Sequence, residues 1–97
     1  MADRVAALEE IIGEYQDERA VEASRLEEYR LQRAKLELAR EILLEHNELE
    51  EAEQLKVRIH DLDHKIQASE RTIARIDRLL AVFRRSLEQL RQGTRVS

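Results

Sequence analysis

Two histidines four residues apart are the side chains best placed for metal chemistry. In the segment from His60 to His64 the imidazoles stand at i and i+4, a spacing that puts them on neighbouring turns of a helix, where they can share one ion. No third histidine lies nearby, and the chain has no cysteine. A functional metal site needs a fixed ligand set with supporting groups. The sequence therefore predicts two solvated side chains, no resident metal and no cofactor.

Paired carboxylates such as Glu9-Glu10 and Glu50-Glu51 are the candidates for general acid and base chemistry. Catalysis also needs a pocket that excludes water and a group that holds the substrate. The sequence contains no glycine-rich phosphate loop and no nucleophile with an attendant base. We expect no catalytic residues, and we interpret these pairs as ordinary helix surface.

A row of arginines in the C-terminal half is the third candidate, because guanidinium groups can bind phosphates or an acidic protein surface. The overall charge of −4 and the lack of aromatic side chains outside the expected core argue against nucleic acid. The row occupies outward positions of a predicted helix, and we name it the arginine face: Arg71, Arg75, Arg78 and Arg85.

Composition predicts long helices as the elements that carry these side chains. Charged residues make up 39% of the 97 residues, proline is absent, and Ala, Leu, Glu and Arg dominate. With three aromatic residues, a thick multilayered core is not expected. The longest apolar run, residues 79–83, is too short to span a membrane, and the first residues start no signal peptide. We expect a soluble, cytoplasmic protein.

The clearest pattern is a seven-residue repeat of apolar side chains in the C-terminal half. From Ala52 to Leu90 they recur at alternating spacings of three and four, and eleven of twelve positions are apolar. Such a repeat keeps one face of a helix against a partner, as in a coiled coil. We name these positions the second seam: Ala52, Leu55, Ile59, Leu62, Ile66, Ser69, Ile73, Ile76, Leu80, Phe83, Leu87 and Leu90.

A weaker repeat, the first seam, runs through the N-terminal half, with eight of twelve positions apolar. Arg19 and Glu22 are expected to pair with each other, while Arg33 and Arg40 are candidate determinants of partner choice. The first seam comprises Val5, Leu8, Ile12, Tyr15, Arg19, Glu22, Leu26, Tyr29, Arg33, Leu36, Arg40 and Leu43. Nearly opposite, at about 100° per residue, lies an outer stripe of Leu31, Ala34, Leu38 and Ile42.

The two seams point in different directions, because the nine residues between them turn a straight helix by about 180°. A chain reversal resolves this, since Asn47 can adopt the left-handed conformation that ends one helix or can cap the next. We predict one coiled-coil domain over residues 1–97. Its parts are helix 1 over about 4–46, a turn near 46–48, helix 2 over about 48–92 and a short tail over 93–97 that begins with Gly93 at the helix end.

Folding about this turn brings the seams together, with Leu8 opposite Leu87, Ile12 opposite Phe83 and Leu36 opposite Ile59. Net charge favours the same arrangement: residues 1–54 hold 16 acidic and 7 basic side chains, and residues 55–97 hold 5 and 10. Against it, residues 41–49 contain no Gly or Pro, and isoleucine at a positions suits a parallel dimer. One continuous long helix in a coiled-coil oligomer is therefore the alternative.

The predicted fold class is all-α: an antiparallel two-helix coiled-coil hairpin that oligomerises into a helical bundle. Pairing of the seams leaves the outer stripe and Leu49 available to a partner. We therefore expect a non-enzymatic scaffold, adaptor or assembly factor, with a second copy of the hairpin and a further helical protein as partners. The alternatives are a small chaperone-like protein for a secretion or assembly substrate, and nucleic-acid association through the arginine face.

Overall fold

The computed structural model describes the backbone of residues 2–96 and the side chains of residues 3–93. Two helices account for nearly all of it: α1, Ala2–Glu45, and α2, Leu49–Val96. No strand occurs among the described residues, and the two helices pack against each other. The all-α helical hairpin predicted from the sequence is confirmed, and the continuous helix is wrong.

The turn between the helices is built by Asn47, whose φ is 60°. With Asn47 in this left-handed conformation, its N–H donates to the carbonyl of Leu44 at 3.2 Å, and the N–H of Glu48 donates to that of Leu43 at 2.9 Å. These two bonds form a Schellman motif, which satisfies carbonyls that a helix end leaves without partners. The carbonyl of Glu48 in turn accepts from Ala52, so α2 begins at once.

The chain packs as two compact units, each of which takes a segment from both helices. The first unit comprises Met1–Glu22 and Thr72–Ser97. Its core contains Ile12, Ile76, Leu80 and Leu87, and the predicted pairs Leu8 with Leu87 and Ile12 with Phe83 belong to the same cluster. Tyr15 and Phe83 also meet there, with ring centroids 5.3 Å apart. Aliphatic packing, with one aromatic contact, therefore holds this unit together.

The second unit, Ala23–Arg71, includes the turn. Its most buried apolar side chains are Leu26, Ala52, Ile59 and Leu62. Ser69, the one polar position of the second seam, is only 2% exposed. In both units together, all twelve positions of each seam are buried or half-buried. The heptad spacing thus falls on the side chains that the helices bury against each other.

Three ion pairs between the helices join a base of α1 to an acid of α2, which is opposite to the net charges of the two halves. Arg30 donates to Glu70 at 3.3 Å, and Arg19 and Arg33 also bind carboxylates of α2. The pair of Glu9 in α1 with Arg91 in α2, at 3.7 Å, joins an acid of the acidic half to a base of the basic half, as the net charges suggest. Net charge sums over every face of a helix, whereas these contacts depend on the few residues beside the seam. The hairpin expected from charge is present, but its charged contacts differ from that expectation.

Helix α2 runs to Val96, past the glycine that the sequence placed at the helix end. Neither glycine of the chain has a positive φ, so Gly93 does not adopt the left-handed conformation of a helix terminus. The tail predicted over 93–97 is therefore helical as far as Val96, and Ser97 lies outside the described residues. Neither described helix combines the length and apolar character that crossing a bilayer requires.

Candidate interaction surface

The outer stripe is an exposed apolar row on α1. Leu31 is 58% exposed, Leu38 is 59% and Ile42 is 46%, and Ala34 between them is exposed as well. Leu36 and Leu43 on the opposite face are half-buried, because that face packs towards α2. Helical geometry therefore separates an inward apolar face from an outward one within the same segment, 31–43.

Other apolar side chains are exposed as well, and of those described below the sequence singled out only Leu49. Val57 and Val82 lie on α2 and are 58% and 49% exposed, and Val21 on α1 is 59% exposed. Leu49, the first residue of α2, is 64% exposed. Isolated apolar residues on a surface are common. The three large side chains of the outer stripe differ, because their spacing places them in one continuous row.

The four residues of the arginine face are all exposed on α2. Arg71 belongs to the second unit and the other three belong to the first. Arg75 lines an open groove of ≈ 500 Å³ together with Glu14, Asp17 and Glu18 of α1. Acidic side chains therefore already lie near this arginine, which weakens its attraction for an external anion.

Two arginines of the first seam bind carboxylates of α2. Arg19 makes a bidentate contact with Asp77, with distances of 2.5 Å from Nε to Oδ1 and 3.2 Å from Nη2 to Oδ2. Arg33 donates from Nε to Asp63, and its Nη1 lies 2.8 Å from Glu37 on the next turn of α1. These pairs fix the lateral register of the helices within their own units.

The same contacts change the acidity of the two aspartates. The hydrogen bond from Arg33 is the main reason why the pKa of Asp63 is lowered, and the hydrogen bond from Arg19 does the same for the pKa of Asp77. Partial burial opposes both shifts, and the positive charge of each arginine adds to them. A carboxylate that accepts hydrogen bonds from a cation is easier to ionise, so both groups favour the charged form in the hairpin.

Arg40, the third arginine of the first seam, has no such contact. Its Nε is buried and has no hydrogen-bond partner among the described residues. A buried donor without a partner destabilises the fold, because its interactions with water are not replaced. The sequence made Arg33 and Arg40 candidate determinants of partner choice. The structure pairs Arg33 with α2 and leaves the Nε of Arg40 unsatisfied.

The histidine pair lies on exposed surface of α2. The Nε2 atoms of His60 and His64 are 3.2 Å apart, and the ring centroids are separated by 4.6 Å with the planes at 82°. Within the described part of the chain, no group of three or more His, Cys, Asp or Glu side chains is arranged to hold a metal ion.

Comparison with protein-family models, curated proteins and solved structures finds no match.

Proposed function

We propose that the chain is a non-enzymatic helical interaction module whose hairpins pair through the outer stripe, and that the resulting four-helix assembly serves as a scaffold or adaptor. The exposed row of Leu31, Leu38 and Ile42 carries this proposal. A lone hairpin leaves these side chains in water. Burying them would stabilise an assembly by about 25 cal/mol per Å² of apolar surface removed from water.

A second copy is the occupant that the stripe itself favours. When two α1 helices run antiparallel across a two-fold axis near Leu36, Leu31 of one copy faces Ile42 of the other. Ala34 then faces Leu38, so a small side chain meets a large one. This alternation lets side chains of facing helices interlock. The stripe is thus complementary to its own reverse.

Charges beside the stripe agree with the antiparallel arrangement. Arg30, which also contacts Glu70 of its own chain at 3.3 Å, and Glu41 lie on the same flank at opposite ends of the stripe. The two-fold axis therefore brings each towards the other residue of the second copy. Glu37 lies near the axis, where two like charges would meet, but it is already paired with Arg33 of its own helix. In a parallel pair this flank of one copy would lie on the opposite side of the interface from that of the other copy, so Arg30 and Glu41 would not meet.

The size of the stripe sets the expected affinity. Three large side chains and one alanine, over about 16 Å of helix, bury much less than the roughly 800 Å² per partner of a standard interface. Loss of translational and rotational freedom opposes so small a contact. We therefore expect weak dimerisation that is populated only at high protein concentration.

The test is the solution mass by sedimentation equilibrium over a wide range of protein concentration. The wild-type chain should change from monomer to dimer, and Leu38→Lys should shift the midpoint at least tenfold upwards because it would bury a charge at the interface. Val57→Lys is the matched control, since Val57 is as exposed as Leu31 but lies on the outer face of α2. It should leave the association unchanged.

Three outcomes oppose the proposal. A wild-type chain that stays monomeric at millimolar concentration would refute self-association and leave the stripe to a different helical protein. Equal weakening by both lysine variants would place the interface elsewhere. A dimer that is insensitive to Leu38→Lys would also place the interface outside the outer stripe. Circular dichroism of each variant verifies that the helices are intact.

A further inference from the structure

His60 and His64 form a pair whose geometry goes beyond what the spacing alone requires. Both rings are exposed on one continuous helix, and their Nε2 atoms approach to 3.2 Å. In this state the pair can share one hydrogen bond, with one ring donating and the other accepting. The two Nε2 atoms thus lie beside the same small volume of solvent.

That separation suits two ligands of one metal ion. Imidazole nitrogens bind zinc and similar ions at about 2.0–2.1 Å, so two nitrogens 3.2 Å apart subtend an angle of roughly 100° at the ion. This value lies between the right angle of square or octahedral geometry and the wider angle of a tetrahedron. A small rotation of the rings, with the Nε2 proton of the donor ring transferred through solvent to its own Nδ1, would let both Nε2 lone pairs of the neutral rings point at the ion.

The donor set selects the class of cation. Two neutral imidazoles favour borderline divalent ions, with Cu²⁺ bound more tightly than Ni²⁺ or Zn²⁺, and they do not favour Mg²⁺ or Ca²⁺, which prefer oxygen ligands. The described residues offer no third ligand beside the pair. The remaining coordination positions would therefore be held by water or by a donor from another molecule.

We propose that His60 and His64 form an intrahelical two-histidine chelate for a borderline divalent metal ion, with open coordination positions facing solvent. The two ligands stand on successive turns, so the bound ion cross-links residues 60 and 64 in their helical conformation. Binding to the folded state alone stabilises that state. The site is independent of the outer stripe, because the histidines belong to α2 and the stripe to α1.

The test is calorimetric titration of the full chain with CuCl₂ and, separately, ZnCl₂ in a non-coordinating buffer. We expect one ion per chain at this site, with Cu²⁺ bound more tightly than Zn²⁺. His60→Gln and His64→Gln should each weaken Cu²⁺ binding by at least tenfold, since one imidazole cannot chelate. His46→Gln is the control, because His46 lies in the turn between the helices, several helical turns before His60. It should leave the affinity within a factor of two.

A second measurement separates the chelate from loose binding. The electron paramagnetic resonance spectrum of the Cu²⁺ complex should show coupling to two nitrogens in the wild type and in His46→Gln, and to fewer in the other two variants. Equal loss of affinity in all three variants would overturn the proposal, as would no loss in His60→Gln and His64→Gln. One ion bound per two chains, with a doubled mass, would also overturn a chelate within one helix.

Discussion

At the level of single residues, the contacts between the helices follow a positional rule. Arg19 and Arg33 both occupy first-seam positions and bind Asp77 and Asp63 of α2. Each aspartate directly follows a second-seam residue, and the two aspartates are two heptads apart, as are the two arginines. Heptad geometry repeats the same environment at every seventh position. An arginine in the first seam thus has a defined partner position on α2.

Arg40 shows what happens when that position holds the wrong charge. It lies one heptad after Arg33, and the matching position on α2, one heptad before Asp63, is Lys56. A cation there cannot accept a hydrogen bond from a guanidinium group. The buried, unsatisfied Nε of Arg40 has a sequence explanation in this mismatch.

We predict that Lys56→Asp stabilises the hairpin by supplying the missing acceptor. The reference is Lys56→Asn, because asparagine has nearly the same shape as aspartate. It removes the lysine without adding a negative charge. Lys56→Asp should exceed it in free energy of unfolding by about 0.5 kcal/mol, as partly exposed ion pairs do. Urea denaturation of both variants measures the difference.

The double-mutant cycle with Arg40→Met attributes this gain to one contact. In that background the advantage of Lys56→Asp over Lys56→Asn should vanish. If the advantage persists without Arg40, it comes from the acidic side chain's position near the N-terminus of α2 and not from the proposed pair.

A second prediction concerns the stability of the hairpin in acid. The pKa of Asp77 is below its ordinary value of 3.8, first because Arg19 donates a hydrogen bond to the carboxylate. The ionised Asp77 carboxylate therefore contributes its full stabilisation of the hairpin at pH values above the ordinary pKa. This stabilisation disappears as the pH falls through the lowered pKa of the folded state. Asp77→Asn should flatten the dependence of unfolding free energy on pH in the acid range below the ordinary pKa of 3.8.

Arg19→Gln provides the matched test of the cause. If the hydrogen bond from Arg19 lowers the pKa of Asp77, removing the guanidinium group should flatten the same region of the pH curve although the carboxylate remains. Urea unfolding at closely spaced pH values gives the curves. An Arg19→Gln curve that is still as steep as the wild type would show that the arginine is not responsible.

At the level of secondary structure elements, the turn depends on one residue. Propensity alone would continue a helix through residues 41–49, which contain neither Gly nor Pro. Asn47 at φ 60° ends α1 because a short polar side chain tolerates the left-handed conformation. The reversal of seam direction identified the turn in the sequence, since burial of both seams stabilises a hairpin more than a few helical residues stabilise a continuous rod.

The stability of variants at Asn47 should depend on how well the new residue tolerates a positive φ, and not on its polarity. Asn47→Ala should destabilise the hairpin by about 1 kcal/mol, because a Cβ without a local hydrogen bond is strained at positive φ. Asn47→Gly should stay within about 0.5 kcal/mol of the wild type. His46→Ala, one residue earlier, is the control. Thermal unfolding measures all three, and an alanine variant as stable as the glycine variant would contradict this account.

The sequence predicted the helices and the reversal better than it predicted their charged contacts and ends. Seam burial follows from a repeat of many side chains, in which one polar residue such as Ser69 changes little. The partner of Arg19 depends on which acid lies beside the seam of the other helix, which the charge balance of each half does not specify. Likewise Gly93 permits a helix end without requiring one, because glycine also tolerates helical dihedrals.

At the level of the whole molecule, the exposed surface divides into an apolar row on α1 and charged faces on both helices. Because the intramolecular seams use the inner faces, a partner has only the outer faces to bind. In the assembly that we propose, hairpin formation and pairing of hairpins are therefore separate steps. A variant of the outer stripe should therefore change the mass in solution without changing the fold of one chain.

The last prediction tests whether the seams close within a single chain. The protein has no cysteine, so Ala7→Cys with Gln89→Cys introduces the sole sites for a spin label. Both positions are exposed and line one groove of the first unit. Helices in contact lie about 8–10 Å apart, so labels there should be separated by less than about 25 Å. A continuous helix would separate them by about 120 Å.

Dilution with excess unlabelled protein makes this measurement specific for one chain. Two extended chains packed antiparallel, or two hairpins that exchange their helices, also give a short distance, but between molecules, and that signal falls as unlabelled chains replace labelled ones. The distance within a hairpin does not change. A second pair, Lys35→Cys with Asp61→Cys, reports in the same way on the second unit, where both residues line one groove. Short distances that survive dilution in both units require that each chain folds back on itself, because no intermolecular arrangement preserves them.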